Sequence, residues 1–586
     1  MVFLNALEMK TMLRFALYTL AMLAWCTGAF AQSGMQMKYE VAVDTAAHYL
    51  LVKLTCTAPD GIVSGAAPDA PSVLTTPFAA PSAPAASSAV LSAPSPVPPA
   101  TPFLAASAAP PSPSSPSSSE GNAVQPFTLR MPVWAPGYYL IVDFPKYLTD
   151  FQATDADGTP LAWRKEGKNA WVIQPKSRVT EVSYRVYANE RSVAESRVQE
   201  DVAFVAPCGV FMHVEGEKDS PVEVTYVLPE GWTQASSGLA HVGDWTGQRR
   251  TFVAPDFDTL YDSPVLLGRH YVKTFTHEGR DYEVALETPD GWEESGMEDD
   301  FRRVVSAASA LMGGEVPYEK YCLMHLGRGP GGLEHLNSQA CYSEGSFRFA
   351  SREAYLNYLS FMAHEYFHLY NVKTIRPIEL GPFDYDREVF TPLLWFSEGI
   401  TVYYESRLLL LAGIVDAAYV LRDLSGFIRT VESQEGHRHM SLRQSSYDIW
   451  LNFFNRAANG RDTRISYYEK GPILGLLMDI DIRHKTGGQR SLDDLMRLLY
   501  HRYHLEQGRG FSEEEFWQAC AEVAGEPLTL IRRYVDTTEE IDYDPILASV
   551  GLRLDRTTWT LLPLDGATEE QISLGQGMGL ALPNSR

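Results

Sequence analysis

Residues 361–372 read FMAHEYFHLYNV, with His364 and His368 four apart and Glu365 directly after the first. Such a spacing restricts the backbone severely. Only a helix stacks residues four apart on one face, and both imidazoles can then reach one metal ion. Glu365 is turned by about 100° around such a helix, beside whatever the two rings hold. Ser351 is a candidate N-cap, Glu353 lies in the expected first turn, and Pro377 lies beyond the far end.

The pattern is H-E-x-x-H, the zinc-peptidase motif. Zinc in such a site lowers the pKa of its water towards about 7, and the glutamate takes the proton as general base. Two histidines alone also fit a helix with structural histidines. A catalytic zinc needs a third protein ligand and an open fourth position. The segment PLLWFSEGITVYYES supplies Glu398, with 29 residues between it and His368. An acid inside so apolar a stretch is costly unless it is paired or on a metal. Glu405, one helical stretch further, is a candidate to support a ligand from behind, while Tyr403 and Tyr404 read as packing residues.

The segments HEYFHLYNVK, WFSEGITVYYE, GGLEHLNS and YYEKG occur together. Together they resemble the glycyl aminopeptidase family of thermolysin-like metallopeptidases, which use two His and one Glu as ligands. The resemblance runs from about Lys38 to Leu554. It implies one zinc per chain on His364, His368 and Glu398, with Glu365 as base. By similarity to the wider aminopeptidase clan, Glu334 of GGLEH would bind the substrate's terminal ammonium. Tyr468 of SYYEKGP would donate to the oxyanion opposite the zinc, with Tyr467 its adjacent rival. Gly331 and Gly332 would pair their backbone with the substrate, since glycine permits close approach. The implied substrates are peptides with small first residues such as Gly or Ala. A zinc endopeptidase of the same fold and a non-catalytic peptide-binding protein are the alternatives.

The remaining sequence sets the frame. Its 586 residues suggest about three or four domains. Against 49 Lys+Arg stand 73 Asp+Glu, a formal net charge of −24. That balance excludes nucleic acid as a partner. Lys10 and Arg14, the apolar run Phe15–Trp25 and the AFA of Ala29–Ala31 read as a signal peptide over 1–31, cleaved after Ala31. Met9 makes the more ordinary start. The chain is therefore expected in a periplasm or secreted. Trp25 before Cys26 argues against a lipid anchor, and no later segment is apolar enough to span a membrane.

Residues 37–267 read as a β-sandwich-like N-terminal domain of short alternating strands. Within it, 58–123 is an Ala/Pro/Ser-rich segment that cannot offset its chain entropy and reads as a disordered loop. It reads as an insertion between two strands of one sheet. Residues 271–545 read as a mainly helical, thermolysin-like catalytic domain with a small sheet, making the whole chain multidomain α+β. Residues 546–586 are too short for the PDZ domain that ends the family's usual members, and read as its remnant. Cys56, Cys208, Cys322, Cys341 and Cys520 are too widely spaced for a disulfide framework, and read as buried apolar residues. GRGPGG lacks the Lys-Ser/Thr of a phosphate loop, no G-x-S-x-G elbow occurs, and His437 and His439 read as a solvated loop.

Overall fold

In the computed structural model of the chain, the described residues are 34–59, 124–243, 245, 247–452 and 459–580. The expected signal peptide and residues 60–123 of the Ala/Pro/Ser-rich segment lie outside them. The first half is β-rich. In Gln36–Asp44, Met37, Tyr39 and Val41 are buried while their neighbours face outward, the period-two pattern of a half-buried strand. It pairs antiparallel with Tyr49–Thr57 and parallel with Val222–Val227, inside a seven-stranded sheet. Two four-stranded sheets pack with it around one core that includes Leu54, Trp171, Phe204 and Leu266.

The 58–123 segment does not join two strands of one sheet. Tyr49–Thr57 belongs to the seven-stranded sheet, whereas Phe127–Arg130 enters a four-stranded sheet beside Ala170–Ile173. FTLR buries only Leu129 fully, so its pattern carried no information about its partner.

A five-stranded mixed sheet follows, ordered Tyr271–His277, Arg280–Leu286, Lys320–Arg328, Ser338–Ser343 and Gly332–Glu334. The central Lys320–Arg328 strand is buried on both faces. Cys322 and Met324 join the β-rich core, and Tyr321 and Leu323 join the helical one. Parallel neighbours on both sides require such a continuous apolar run. Cys322 pairs with Ser338, three residues before Cys341. The two thiols therefore point to opposite faces of the sheet. All five described cysteines are buried and unpaired.

From Arg352 onward the chain is mainly helical. Three helices matter for the site: Arg352–Phe367 (the histidine helix), Ile400–Leu411 (the glutamate helix) and Tyr467–Lys485 (the tyrosine helix). Ser351 caps the first, its Oγ accepting from Ala354 N at 3.1 Å. The π-helical turn Trp395–Gly399 that leads into the second meets the third at glycines. A Cβ on Gly399 would lie 2.6 Å from Gly471 Cα, and one on Gly471 2.5 Å from Gly399 Cα. Only bare backbone allows this approach, which sets Glu398 beside Tyr468.

Leu552–Asp555, Thr560–Pro563 and Glu569–Gly577 form a hairpin and a helix that pack on the helical core. Leu561 N donates to Ser425 Oγ at 2.9 Å, and Arg407 Nη1 to Met578 O at 3.0 Å. His439 is exposed as expected, but His437 is buried. Gly436 beside it lets the turn lie directly on the backbone of Arg464. Among the described residues, no helix is long and apolar enough to cross a membrane.

Candidate active site

His364 and His368 face the same way from the end of the histidine helix, and Glu398 meets them from a π-helical turn, Trp395–Gly399. A π turn inside an α-helix often marks a functional site. The His364 and His368 Nε2 atoms are 3.0 Å apart, and Glu398 Oε2 lies 3.8 Å and 3.3 Å from them. All three side chains are buried.

These spacings fit a tetrahedral metal. Ligand atoms at about 2.0–2.1 Å from zinc stand roughly 3.3 Å from one another. The tautomers point the same way. His364 Nδ1 sits 3.0 Å from Glu405 Oε2, and His368 Nδ1 2.7 Å from the Asn371 carbonyl. Each partner accepts, so each Nδ1 carries the proton. Both Nε2 lone pairs then converge on the carboxylate of Glu398, an arrangement that calls for a cation. His364, His368 and Glu398 are accordingly the group that could hold a metal among the described residues. Without a metal the same carboxylates draw a proton instead: burial opposes charge on His368, but Glu398, Glu334 and Glu365 outweigh it and carry the imidazole up to about 10, a demand for positive charge that a metal ion in place of that proton would meet.

Asn371 ties the centre together. Its side-chain nitrogen donates to Phe396 O at 2.9 Å, and Thr401 Oγ1 donates to its carbonyl at 3.1 Å. The end of the histidine helix is thus sewn to the turn that carries Glu398. The sequence offers no signal for it beyond an amide side chain three residues past the motif.

Glu365 is buried beside the cluster. Burial pushes its carboxyl up, the two histidines pull it down, and Glu334 and Glu398 add to the rise, to about 7. Gly332 lies directly over it. A Cβ there would overlap Glu365 Oε1 and come within 2.6 Å of Phe361 Cζ. Gly332–Glu334 is the edge strand of the five-stranded sheet, and Gly331 before it has φ of 87°, a conformation that favours glycine.

Glu334 is 4% exposed, and its Oε1 has no hydrogen-bond partner. Lys373 Nζ stands 4.0 Å away but is held by Asp262 Oδ1 at 2.8 Å. The WAPGYY segment supplies the opposite wall. A Cβ on Gly137 would sit 2.6 Å from Glu334 Oε1, and Gly137 has φ of 84°. Neither Gly137 nor the Asp262–Lys373 pair was expected from the sequence, although a Pro-Gly inside an apolar run signals close backbone approach.

Tyr468 lies on the cluster side of the tyrosine helix, its ring centre 6.4 Å from that of His364. Burial works against the charge on Glu398, but His368, then His364 and a hydrogen bond from Tyr468 outweigh it and hold the carboxyl below its usual value. Tyr467 points into the core, and its hydroxyl has no hydrogen-bond partner. Tyr403 and Tyr404 pack as expected, donating to Asp479 and Asp493, each at 2.9 Å.

Residues 118–269 match the M61 peptidase N-terminal domain, and residues 357–474 match the M61 glycyl aminopeptidase. No curated protein matches the sequence. An aminopeptidase N family protein from Idiomarina loihiensis has a similar structure. It is 23% identical, with a TM-score of 0.73 over 89% of this chain and 79% of its own. An M1 zinc metallopeptidase from Deinococcus radiodurans is 9% identical, with a TM-score of 0.48 over 87% of this chain and 96% of its own. The chain thus carries an M61 peptidase N-terminal domain and an M61 glycyl aminopeptidase domain over these two stretches, and it is a metallopeptidase.

Proposed function

We propose that the chain removes the first residue from peptides with a free N-terminus, Gly and Ala among the residues accepted. One observation carries this reading. Glu334 is a buried carboxylate whose Oε1 has no hydrogen bond, beside Glu365 and the cluster. An uncompensated buried charge is expensive, and a peptide's α-ammonium would satisfy it.

His364, His368 and Glu398 would hold the zinc. When bound, zinc supplies a Lewis acid and a water acidified to near neutrality. Glu365 takes the proton from the attacking water and returns it to the leaving amine. Burial and the neighbouring carboxylates work to raise its carboxyl, the direction that favours a group which takes a proton and gives it back. Tyr468 donates to the oxyanion. Burial, with Glu398 next, raises its pKa well above the usual phenol value, so it remains a donor throughout. The Gly332–Glu334 edge strand offers its backbone to an extended substrate.

Paired arylamides with free and N-acetylated alanine test the reading. Zinc-dependent cleavage of the free form alone is expected, and equal cleavage of both would overturn it. We propose also that the chain is exported, from the pattern over residues 10–31. N-terminal sequencing of the mature protein should then begin at Gln32, and an intact leader would refute this.

A further inference from the structure

Two residues past Gly137 stands Tyr139, 4% exposed. The bare backbone of Gly137 lies against Glu334, so the WAPGYY segment carries Tyr139 along the same wall. Its ring is braced from behind by two indoles. Trp450 meets it edge-on at 5.8 Å between ring centres, and Trp134 meets Trp450 in the same way at 5.1 Å. Both indoles are tied to backbone. Trp450 Nε1 donates to Val389 O at 3.0 Å, and Trp134 Nε1 to Asp384 O at 2.8 Å. The Tyr139 hydroxyl has no hydrogen bond among the described residues. Packing alone therefore sets the ring.

Burial, then Glu398, Tyr467 and Glu334, raises the pKa of Tyr139 well above the usual phenol value. A hydroxyl that feels both Glu398 and Glu334 faces the gap between the metal cluster and the carboxylate proposed to hold the amine. Past Glu334 the protein encloses a cavity of about 260 Å³. Gly137, Tyr139 and Glu334 line it, whereas Glu365, Glu398 and Tyr468 do not. Tyr139 thus borders the cavity on one side and the gap on the other.

The first residue of a peptide would span that gap. Its α-carbon is bonded to both the amine and the scissile carbonyl. With the amine at Glu334 and the carbonyl at the cluster, the side chain starts against the Tyr139 ring. A hydrogen or a methyl group fits beside a fixed wall. A longer side chain must push into a ring that Trp450 holds, and overpacking of that kind is costly. We infer that Tyr139 is the residue that limits the first position to Gly or Ala, its ring closing the site off from the cavity behind it. The inference rests on the aminopeptidase reading and names the side chain that sets the size limit.

The experiment compares kcat/KM for Ala- and Leu-arylamides on the zinc-loaded full chain. Wild type should favour Ala over Leu by at least about tenfold, and Tyr139→Ala should raise the Leu/Ala ratio by at least about tenfold. Tyr139→Phe keeps the wall and drops the hydroxyl, so its ratio should stay within about threefold of wild type. Tyr139→Leu keeps an apolar side chain against Trp450 and should raise the ratio by a smaller factor than Tyr139→Ala. Zinc content and thermal melting report whether each variant is folded, and the wild-type ratio needs no variant at all. A wild-type enzyme that cleaves Leu as well as Ala overturns the inference and leaves the aminopeptidase reading standing. A ratio unchanged in folded, zinc-loaded Tyr139→Ala or Tyr139→Leu overturns it too. So does a rise in Tyr139→Phe as large as in Tyr139→Ala, which would assign the selection to the hydroxyl. Failure to hydrolyse any free-amine arylamide would sink both readings.

Discussion

Asp262→Asn keeps the shape of the side chain and removes its charge. Asp262 Oδ1 faces Lys373 Nζ at 2.8 Å and His335 Nδ1 at 3.0 Å, and Oδ2 accepts from Leu336 N at 3.0 Å. Burial works against the ionised form, but Lys373 and His335 outweigh it and hold the carboxyl at about 2, against 3.8 when unperturbed. A folded-state pKa below the unfolded one means the stabilisation is complete above about pH 4. It is lost as the pH falls towards about 2. At about 1.4 kcal/mol per pH unit, the charge contributes about 2 kcal/mol at neutral pH. The asparagine variant should lose that much in urea unfolding followed by tryptophan fluorescence, and the gap should narrow below about pH 4. A second effect is functional. Released from Asp262, Lys373 stands 4.0 Å from Glu334 Oε1 and can occupy the carboxylate proposed to hold the substrate's ammonium. KM for an Ala-arylamide should rise about tenfold or more, the cost of displacing a charge-assisted hydrogen bond. A stability gap under about 0.5 kcal/mol at neutral pH, a gap that widens in acid, or an unchanged KM would refute this reasoning.

Two other substitutions separate positioning from chemistry. Glu405→Ala removes the acceptor 3.0 Å from His364 Nδ1 and should weaken zinc binding about 10- to 100-fold in a chelator competition; equal affinity would mean that Glu405 does not orient the ring. Gly332→Ala places a methyl where Glu365 Oε1 lies. It should lower kcat at least about tenfold while zinc content, measured by metal analysis, stays the same. An unchanged kcat would show that the strand yields easily and that Glu365 needs no fixed position.

The sequence disclosed the parts of the site that are local. His364, Glu365 and His368 share one capped helix, and the helical period alone decides which face they occupy. Glu398 stood out because an acid in WFSEGI is improbable without a partner. Glu334 and Tyr468 had weaker signals and became legible through the resemblance of their segments. What stayed hidden depends on contacts between distant segments. Gly137 meets Glu334, Asp262 meets Lys373, and Gln36–Asp44 pairs in parallel with Val222–Val227. No periodicity within either segment encodes such a pairing. The same holds for the sheet that Phe127–Arg130 enters, because a four-residue strand fits many edges equally well.

The central claim is that a zinc held by His364, His368 and Glu398 works with Glu365 as the base. Glu365→Gln tests it most directly, with zinc content and kcat read on the same sample. The variant should keep about one zinc per chain while kcat for an Ala-arylamide falls on the order of 100- to 10,000-fold. Loss of the zinc, or a kcat within about tenfold of wild type, would contradict the account.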